Sequence, residues 1–234
     1  MYRSRIAYAA LSVATLVILV TLGWWSTAFF NADAQLGDDL ARKLERVSTV
    51  QGRLTISLQG VTLQQKLWVE RPRLLRTETE SGPSGFAGTI VVLNAEEGWV
   101  YSRALNMATV VQRGNGDALS TPETGTGSLL ERMPTAIVAA IQSGVPYHRV
   151  GREQLLGRST VRYDLEIREG DPAFPPGVLQ VWLDEQYAYP LAWRDSQGRE
   201  LRFTSIEFNR PIDPATFVFF PPPGAAVQRV TPSP

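Results

Sequence analysis

The most constraining feature of this chain is a change of hydrophobic period at residue 50 that persists, with one interruption, almost to the C-terminus. Leu54, Ile56 and Leu58 alternate with Arg53, Thr55, Ser57 and Gln59, as expected of a strand with one buried face. Gln59-Gly60 supplies a turn. The return strand carries Leu63, Leu67 and Val69 on one face and Trp68 on the other, and it stops at Arg71-Pro72 because proline cannot donate to a ladder. Further short segments follow at Leu74 to Glu80, Thr89 to Asn94, Trp99 to Ser102 and Met107 to Arg113, separated by Gly, Pro, Ser and Asn. Strands so closely spaced pair antiparallel, because a parallel crossover takes a dozen or more residues.

The interruption is a helical insert between Ser128 and Ser143. Ser128-Leu129-Leu130-Glu131 has capping-box form, Leu130, Met133, Ile137 and Ile141 make an apolar stripe, and Gly144 stands where the helix would end. Pro134 either kinks this helix or occupies the first turn of one begun near Met133, and a kinked or two-part helix is expected. A shorter amphipathic helix precedes the strands, with Leu36, Leu40, Leu44 and Val47 at helical spacing.

Strands resume at Tyr147 to Glu153, Ser159 to Arg168, Val178 to Leu183, Pro190 to Asp195 and Leu201 to Phe208. Asp213-Pro214-Ala215-Thr216 reads as one helical turn before Phe217 to Phe220, and the proline-rich end from Pro221 reads as irregular. The expected fold class is mainly β (α+β): a curved antiparallel sheet or incomplete barrel, its apolar face covered by the two helices. The organisation expected is an N-terminal segment 1–34, one domain over 35–224 and a flexible tail over 225–234.

Ahead of the domain, Ile6 to Phe30 contains no Asp, Glu, Lys or Arg and follows Arg3 and Arg5. A helix of about 20 apolar residues spans a bilayer, and this run is long enough. Ala32-Asp33-Ala34 also has the small-x-small form that signal peptidase cleaves. Retention as a transmembrane anchor and removal as a signal peptide both satisfy these features. Either way, basic residues before the run and Asp33, Asp38 and Asp39 after it leave the N-terminus in the cytoplasm and the domain outside. The expected location is extracytoplasmic, in a periplasm or at a cell surface.

Lys+Arg and Asp+Glu are equal at 23 each and interspersed, which argues against nucleic acid as a partner. With no cysteine, disulfides, thiol catalysis, thiolate metal sites and a lipidated cysteine are excluded. His148, the single histidine, has no Ser or carboxylate at motif spacing and reads as a surface residue. Ser81-Gly82-Pro83-Ser84-Gly85 is a loop rather than a nucleophile elbow, and Gly114-Asn115-Gly116 and Gly125-Thr126-Gly127 read as turn glycines rather than phosphate loops. Glu96-Glu97, Asp184-Glu185 and Asp171 read as exposed carboxylates beside turns, not as calcium ligands. No catalytic residue, metal site or cofactor is expected.

The order of elements is similar to that of the LolA/LolB-like lipoprotein carrier superfamily, which includes outer-membrane lipoprotein-sorting proteins, RseB-like sensors and mycobacterial lipid-binding lipoproteins. Gln51-Gly52-Arg53-Leu54 with Leu67-Trp68-Val69-Glu70-Arg71-Pro72-Arg73-Leu74-Leu75-Arg76 resembles the family's first hairpin. Gly98-Trp99-Val100-Tyr101 resembles the strand after a Gly turn. The stretch from Pro190-Leu191 through Asp195-Ser196-Gln197-Gly198 to Asp213-Pro214-Ala215-Thr216-Phe217-Val218-Phe219 and Pro222-Pro223-Gly224 resembles its C-terminal part.

The resemblance implies a half-barrel with a hydrophobic cavity for lipid acyl chains or an acylated protein, and no chemistry. Strand parity and the helix stripe then nominate Leu54, Ile56, Leu58, Leu67, Val69, Trp99 and Tyr101, with Met133, Ile137 and Ile141 from the helical lid, as the lining. Arg71, Arg73 and Arg76 are candidates for contact with head groups or with a partner's carboxylates. The alternative reading is a membrane-tethered sensor or protein-interaction module of the same fold. The dedicated soluble carriers are released into the periplasm and their acceptors are held by a lipidated cysteine, so a retained N-terminal helix would fit neither role.

Overall fold

In the computed structural model, described for residues 35–58, 60–112, 126–171 and 174–230, the described strands form one open, curved sheet. The apolar run 6–30, the triplet at 32–34, Gly114-Asn115-Gly116 and residues 231–234 lie outside the described residues. No helix among the described residues is long and apolar enough to cross a membrane.

The first hairpin forms where period-two alternation is clearest: β1 (Thr49–Leu58) and β2 (Val61–Glu70) meet at Gly60, whose φ of +83° suits a residue without a Cβ. β3 (Leu74–Ser81), β4 (Ile90–Leu93), β5 (Glu97–Ser102) and β6 (Met107–Gln112) continue the meander. After a helix come β7 (Tyr147–Leu155), β8 (Arg158–Ile167), β9 (Gly177–Asp184), β10 (Pro190–Arg194) and β11 (Glu200–Phe208). β11 closes back on β1, so the two meanders join side by side in the order β6-β5-β4-β3-β2-β1-β11-β10-β9-β8-β7. Only neighbouring segments pair within each half, as the short turns require.

Helix α1 spans residues 35–45 and α2 spans Thr126–Gln142. Pro134 lies inside α2, which runs on as one helix, so neither a two-part helix nor a start near Met133 is what forms. Leu40 and Leu44 of α1 and Met133, Ile137, Val138 and Ile141 of α2 share one buried cluster with the inner-face residues of the sheet, among them Val50, Leu67, Leu75, Leu165, Val181 and Leu201. The helices cover the inner face because its strands present a mainly apolar surface that would otherwise face water.

The C-terminal region departs from the sequence expectation. Pro214–Phe217 forms the expected helical turn, N-capped by Asp213, whose Oδ1 accepts the Ala215 N–H at 2.9 Å. Residues 226–230, expected to be part of a flexible tail, form β12 (Ala226–Val230), paired parallel with β6. Two features bring the chain there: Phe219 packs on Trp99 and Tyr101 at centroid distances of 5.5 and 5.7 Å, and Asn106 donates to the Gly224 carbonyl at 2.9 Å and accepts, through its own carbonyl, from Ala226 N–H at 3.0 Å. These are long-range contacts with no local signature. Proline content argued against regular structure, but the prolines at 221–223 stop short of the paired residues.

Candidate functional site

The inner face under α1 and α2 is the surface nominated from the sequence, and the register decides which residues reach it. Gln65 stands opposite Leu54 and Thr79, Leu67 opposite Gly52 and Thr77, and Leu75 opposite Val69 and Leu93. Directly opposed residues share a face, so these form continuous inner rows. Leu54, Ile56, Leu67 and Val69 of the sheet and Met133, Ile137 and Ile141 of α2 all lie in the one inner cluster, and Leu58 packs against it half-buried. Leu54, Ile56, Leu67, Ile137 and Ile141 are at most 1% exposed. Eight of the ten nominated lining residues are therefore gathered in one place.

Trp99 and Tyr101 are not among them. Trp99 pairs with Val92 and Tyr101 with Ile90, while Val92 pairs with Arg76 on the face opposite to Leu75. Both aromatics belong to a separate outer cluster with Val92, Ala108 and Val110, covered by Phe219. The misassignment has a plain cause: Gly98, Val100 and the two aromatics are all apolar, so β5 carries no alternation from which to choose a face.

The three arginines separate likewise. Arg71 donates from Nη1 to the Leu44 carbonyl at 2.6 Å, placing a cation at the C-terminal end of α1, where it complements the helix dipole. Arg76 pairs with Glu78 at 2.6 Å and donates to the Thr216 carbonyl at 3.0 Å, tying β3 to the C-terminal segment. Both are engaged in contacts within the fold, and Arg73 is exposed.

Several side chains with polar groups on the inner face escaped the sequence reading. Gln65, 3% exposed, donates from Nε2 to Thr79 Oγ1 at 3.0 Å, and Thr77 beside it is also buried. Trp193 of β10 is in the inner cluster at 3% exposure. The parity of Leu63 and Leu67 already placed Gln65 inward, so the signal was present as a polar residue at an apolar position.

Elsewhere the carboxylates do structural work. Asp184, read from sequence as exposed turn charge, is 2% exposed: it accepts from Arg158 Nε at 2.6 Å and from the backbone N–H groups of Gln186 and Tyr187 at 3.0 and 2.8 Å. Asp195 likewise caps the β10–β11 turn through the N–H groups of Gln197 and Arg199. An aspartate before a turn can point outward or fold back to cap it; here it folds back beside Arg158, which packs over the Phe208 ring, 5.0 Å from its centroid. His148 is exposed, and no group of three or more potential ligands for a metal occurs among the described residues.

On the outer face, a cleft of about 360 Å³ is lined by Gln51, Arg53, Lys66, Trp68, Ser205 and Glu207. Lys66 and Arg53 both pair with Glu80, at 2.9 and 3.2 Å, and they hold its carboxyl below the usual carboxylate range, Lys66 contributing most. These charges are satisfied by one another, and the cleft is separated from the inner face by the sheet.

Burial also pushes two inner tyrosines, Tyr163 and Tyr189, above the ordinary value of 10.0. Their folded-state pKa values are raised, so the folded form keeps protons that the unfolded form releases above pH 10, and stability falls as pH rises beyond that point. An alkaline titration is expected to show these phenols ionising only together with loss of structure. Tyrosinate absorbance that rises fully while circular dichroism is unchanged would contradict the burial.

Comparison with known proteins bears on this arrangement. No family model matches the chain. It is 29% identical over 199 residues to the outer-membrane lipoprotein carrier protein of Alkalilimnicola ehrlichii, with 81% of each sequence covered. Among solved structures, its fold is similar to that of an uncharacterized conserved protein from Thermus thermophilus, with a TM-score of 0.55, 13% identity, and 82% of this chain and 98% of that one covered. It is also similar to that of MucB, with a TM-score of 0.53, 16% identity, and 81% of this chain and 63% of MucB covered. The resemblance to the LolA/LolB-like lipoprotein carrier superfamily, and the half-barrel fold that it implies, are borne out.

Proposed function

We propose that this protein is an extracytoplasmic, non-catalytic binder of lipid acyl chains or of acylated proteins, and that the ligand is taken between the inner face of the half-barrel and the two helices. The observation that carries this reading is the buried apolar cluster that the inner face shares with α2. Leu54, Ile56, Leu67 and Val69 lie in one buried apolar cluster with Met133, Ile137 and Ile141. The likeness to a lipoprotein carrier supports it. Met133, Ile137 and Ile141 of α2 are buried against the inner-face cluster, as in a closed lid. Exchanging those contacts for an acyl chain conserves buried apolar area, since each buried methylene is worth about 0.8 kcal/mol, so opening need not cost much once ligand is present. The apolar run 6–30 would hold the domain beside the outer leaflet if retained, and cleavage after Ala34 would release a diffusing carrier.

Native mass spectrometry of the purified protein, with titration of a fluorescent fatty acyl probe, tests the reading. Copurified lipid or a saturable probe site is expected, with probe affinity reduced about tenfold by Ile137→Asp, which sets a charge in the apolar contact. Absence of both lipid and saturable binding would overturn it.

A further inference from the structure

Two buried polar atoms of the inner face have no hydrogen-bond partner: Trp193 Nε1 and Gln65 Oε1. Both side chains are about 97% enclosed, and an unmet polar atom at such depth is destabilising. Folded proteins keep few of them. Trp193 stands opposite Val181 and Leu201, so its indole N–H projects from an apolar stretch of sheet. A buried water there would lack the two to four polar partners that hold one in place. Gln65 is different, because its amide is already bonded to Thr79 Oγ1 and the pair can offer either a donor or an acceptor. The two sites lie on different strands, β2 and β10, separated in the sheet by β1 and β11, so about 14 Å of sheet lies between them at roughly 4.8 Å per strand. One atom cannot serve both.

Given the acyl-binding reading above, on which this inference rests, we propose that the inner face has a polar specificity element: Trp193 Nε1–H donates to the carbonyl oxygen that links an acyl chain to its parent molecule, and the Gln65–Thr79 pair receives a second polar group of the same ligand. A donor that cannot accept selects a carbonyl oxygen over a methylene, which sets ester- and amide-linked chains above ether-linked ones. The carbonyl could belong to a glycerolipid ester or to the amide of an acylated polypeptide.

The test compares three probes on the full chain: palmitoyl lysophosphatidylcholine, its hexadecyl ether analogue without the carbonyl, and an N-palmitoylated peptide. The ester and the amide are expected to bind about fivefold tighter than the ether, the worth of one net hydrogen bond. Whichever of the two binds more tightly identifies the source of the carbonyl. Trp193→Phe should bring the carbonyl probes to the level of the ether and leave the ether unchanged. Gln65→Leu should weaken all three probes by a similar factor, with melting temperatures confirming that both variants fold. Equal binding of ester and ether by the unaltered protein, a carbonyl preference that survives Trp193→Phe, or undiminished binding by Gln65→Leu would each overturn the proposal and leave acyl binding intact. No binding of any probe would overturn the acyl-binding reading itself. The ester–ether comparison needs no variant, so it stands even where a substitution prevents folding.

Discussion

Asp184→Ala is expected to destabilise the protein by about 3–4 kcal/mol, the usual consequence of removing one partner from a buried ion pair. Three groups lose their acceptor at once: the Arg158 guanidinium, only 28% exposed, and the N–H groups of Gln186 and Tyr187, which close the turn between β9 and β10. Arg158 also lies over the rings of Tyr187 and Phe208, so it cannot swing into solvent without giving up those contacts. Asp184→Asn keeps the carbonyl that caps the turn and removes the charge, and it should cost about half as much. Urea denaturation of the two variants checks this. A loss below about 1 kcal/mol for the alanine variant would place Asp184 among ordinary surface carboxylates, as the sequence reading had it.

Gly52→Ala is expected to be comparably damaging for a steric reason. A Cβ at this position would lie 2.2 Å from the Ser205 carbonyl oxygen and 3.1 Å from the Ile206 Cα, both backbone atoms of β11. Neither can turn aside as a flexible side chain would. The close approach accompanies a register shift between Arg53 and Leu54, where Ser205 Oγ accepts the Arg53 N–H at 3.2 Å. Because β1–β11 is the seam joining the two meanders, separating those strands loosens the whole sheet. A cost of about 3 kcal/mol is expected, at the upper end for overpacking. In a domain of this size it should lower the melting temperature by about 6–12 °C. Gly60→Ala is the control: at Gly60 a Cβ would meet nothing within 4 Å, so only the strain of its left-handed φ remains. Thermal melts in which Gly52→Ala is no worse than Gly60→Ala would show that the seam yields freely.

Both effects arise at places where sequence reasoning had little to work with. Gly52 sits in a strand with clear alternation, and nothing in Gln51-Gly52-Arg53 announces that a carbonyl from β11, more than 150 residues later, crosses its Cα. Asp184 precedes a turn, and turn aspartates are usually solvated. Trp99 and Tyr101 failed for a related reason: β5 is apolar on both faces, and only pairing with β4 tells inner from outer. β12 was missed because a strand added parallel to a distant edge has no neighbouring turn to announce it.

Much else followed from local chemistry alone. Short apolar segments broken by Gly and Pro, most of them alternating, set the number of the first eleven strands, their close spacing set the antiparallel pairing, and the stripe of Met133, Ile137 and Ile141 set the face of α2 that packs inward. Such patterns are legible because a residue's exposure along one strand or helix depends on spacing within that element. What the tertiary structure alone decided was how separate elements meet: the seam of β1 with β11, the face of the sheet to which β5 turns its aromatics, the commitment of Arg71 and Arg76 to main-chain carbonyls, and the depth of Gln65 and Trp193. Each depends on a partner far away in the chain, and the side chain that receives the contact carries no mark of it in its own neighbourhood.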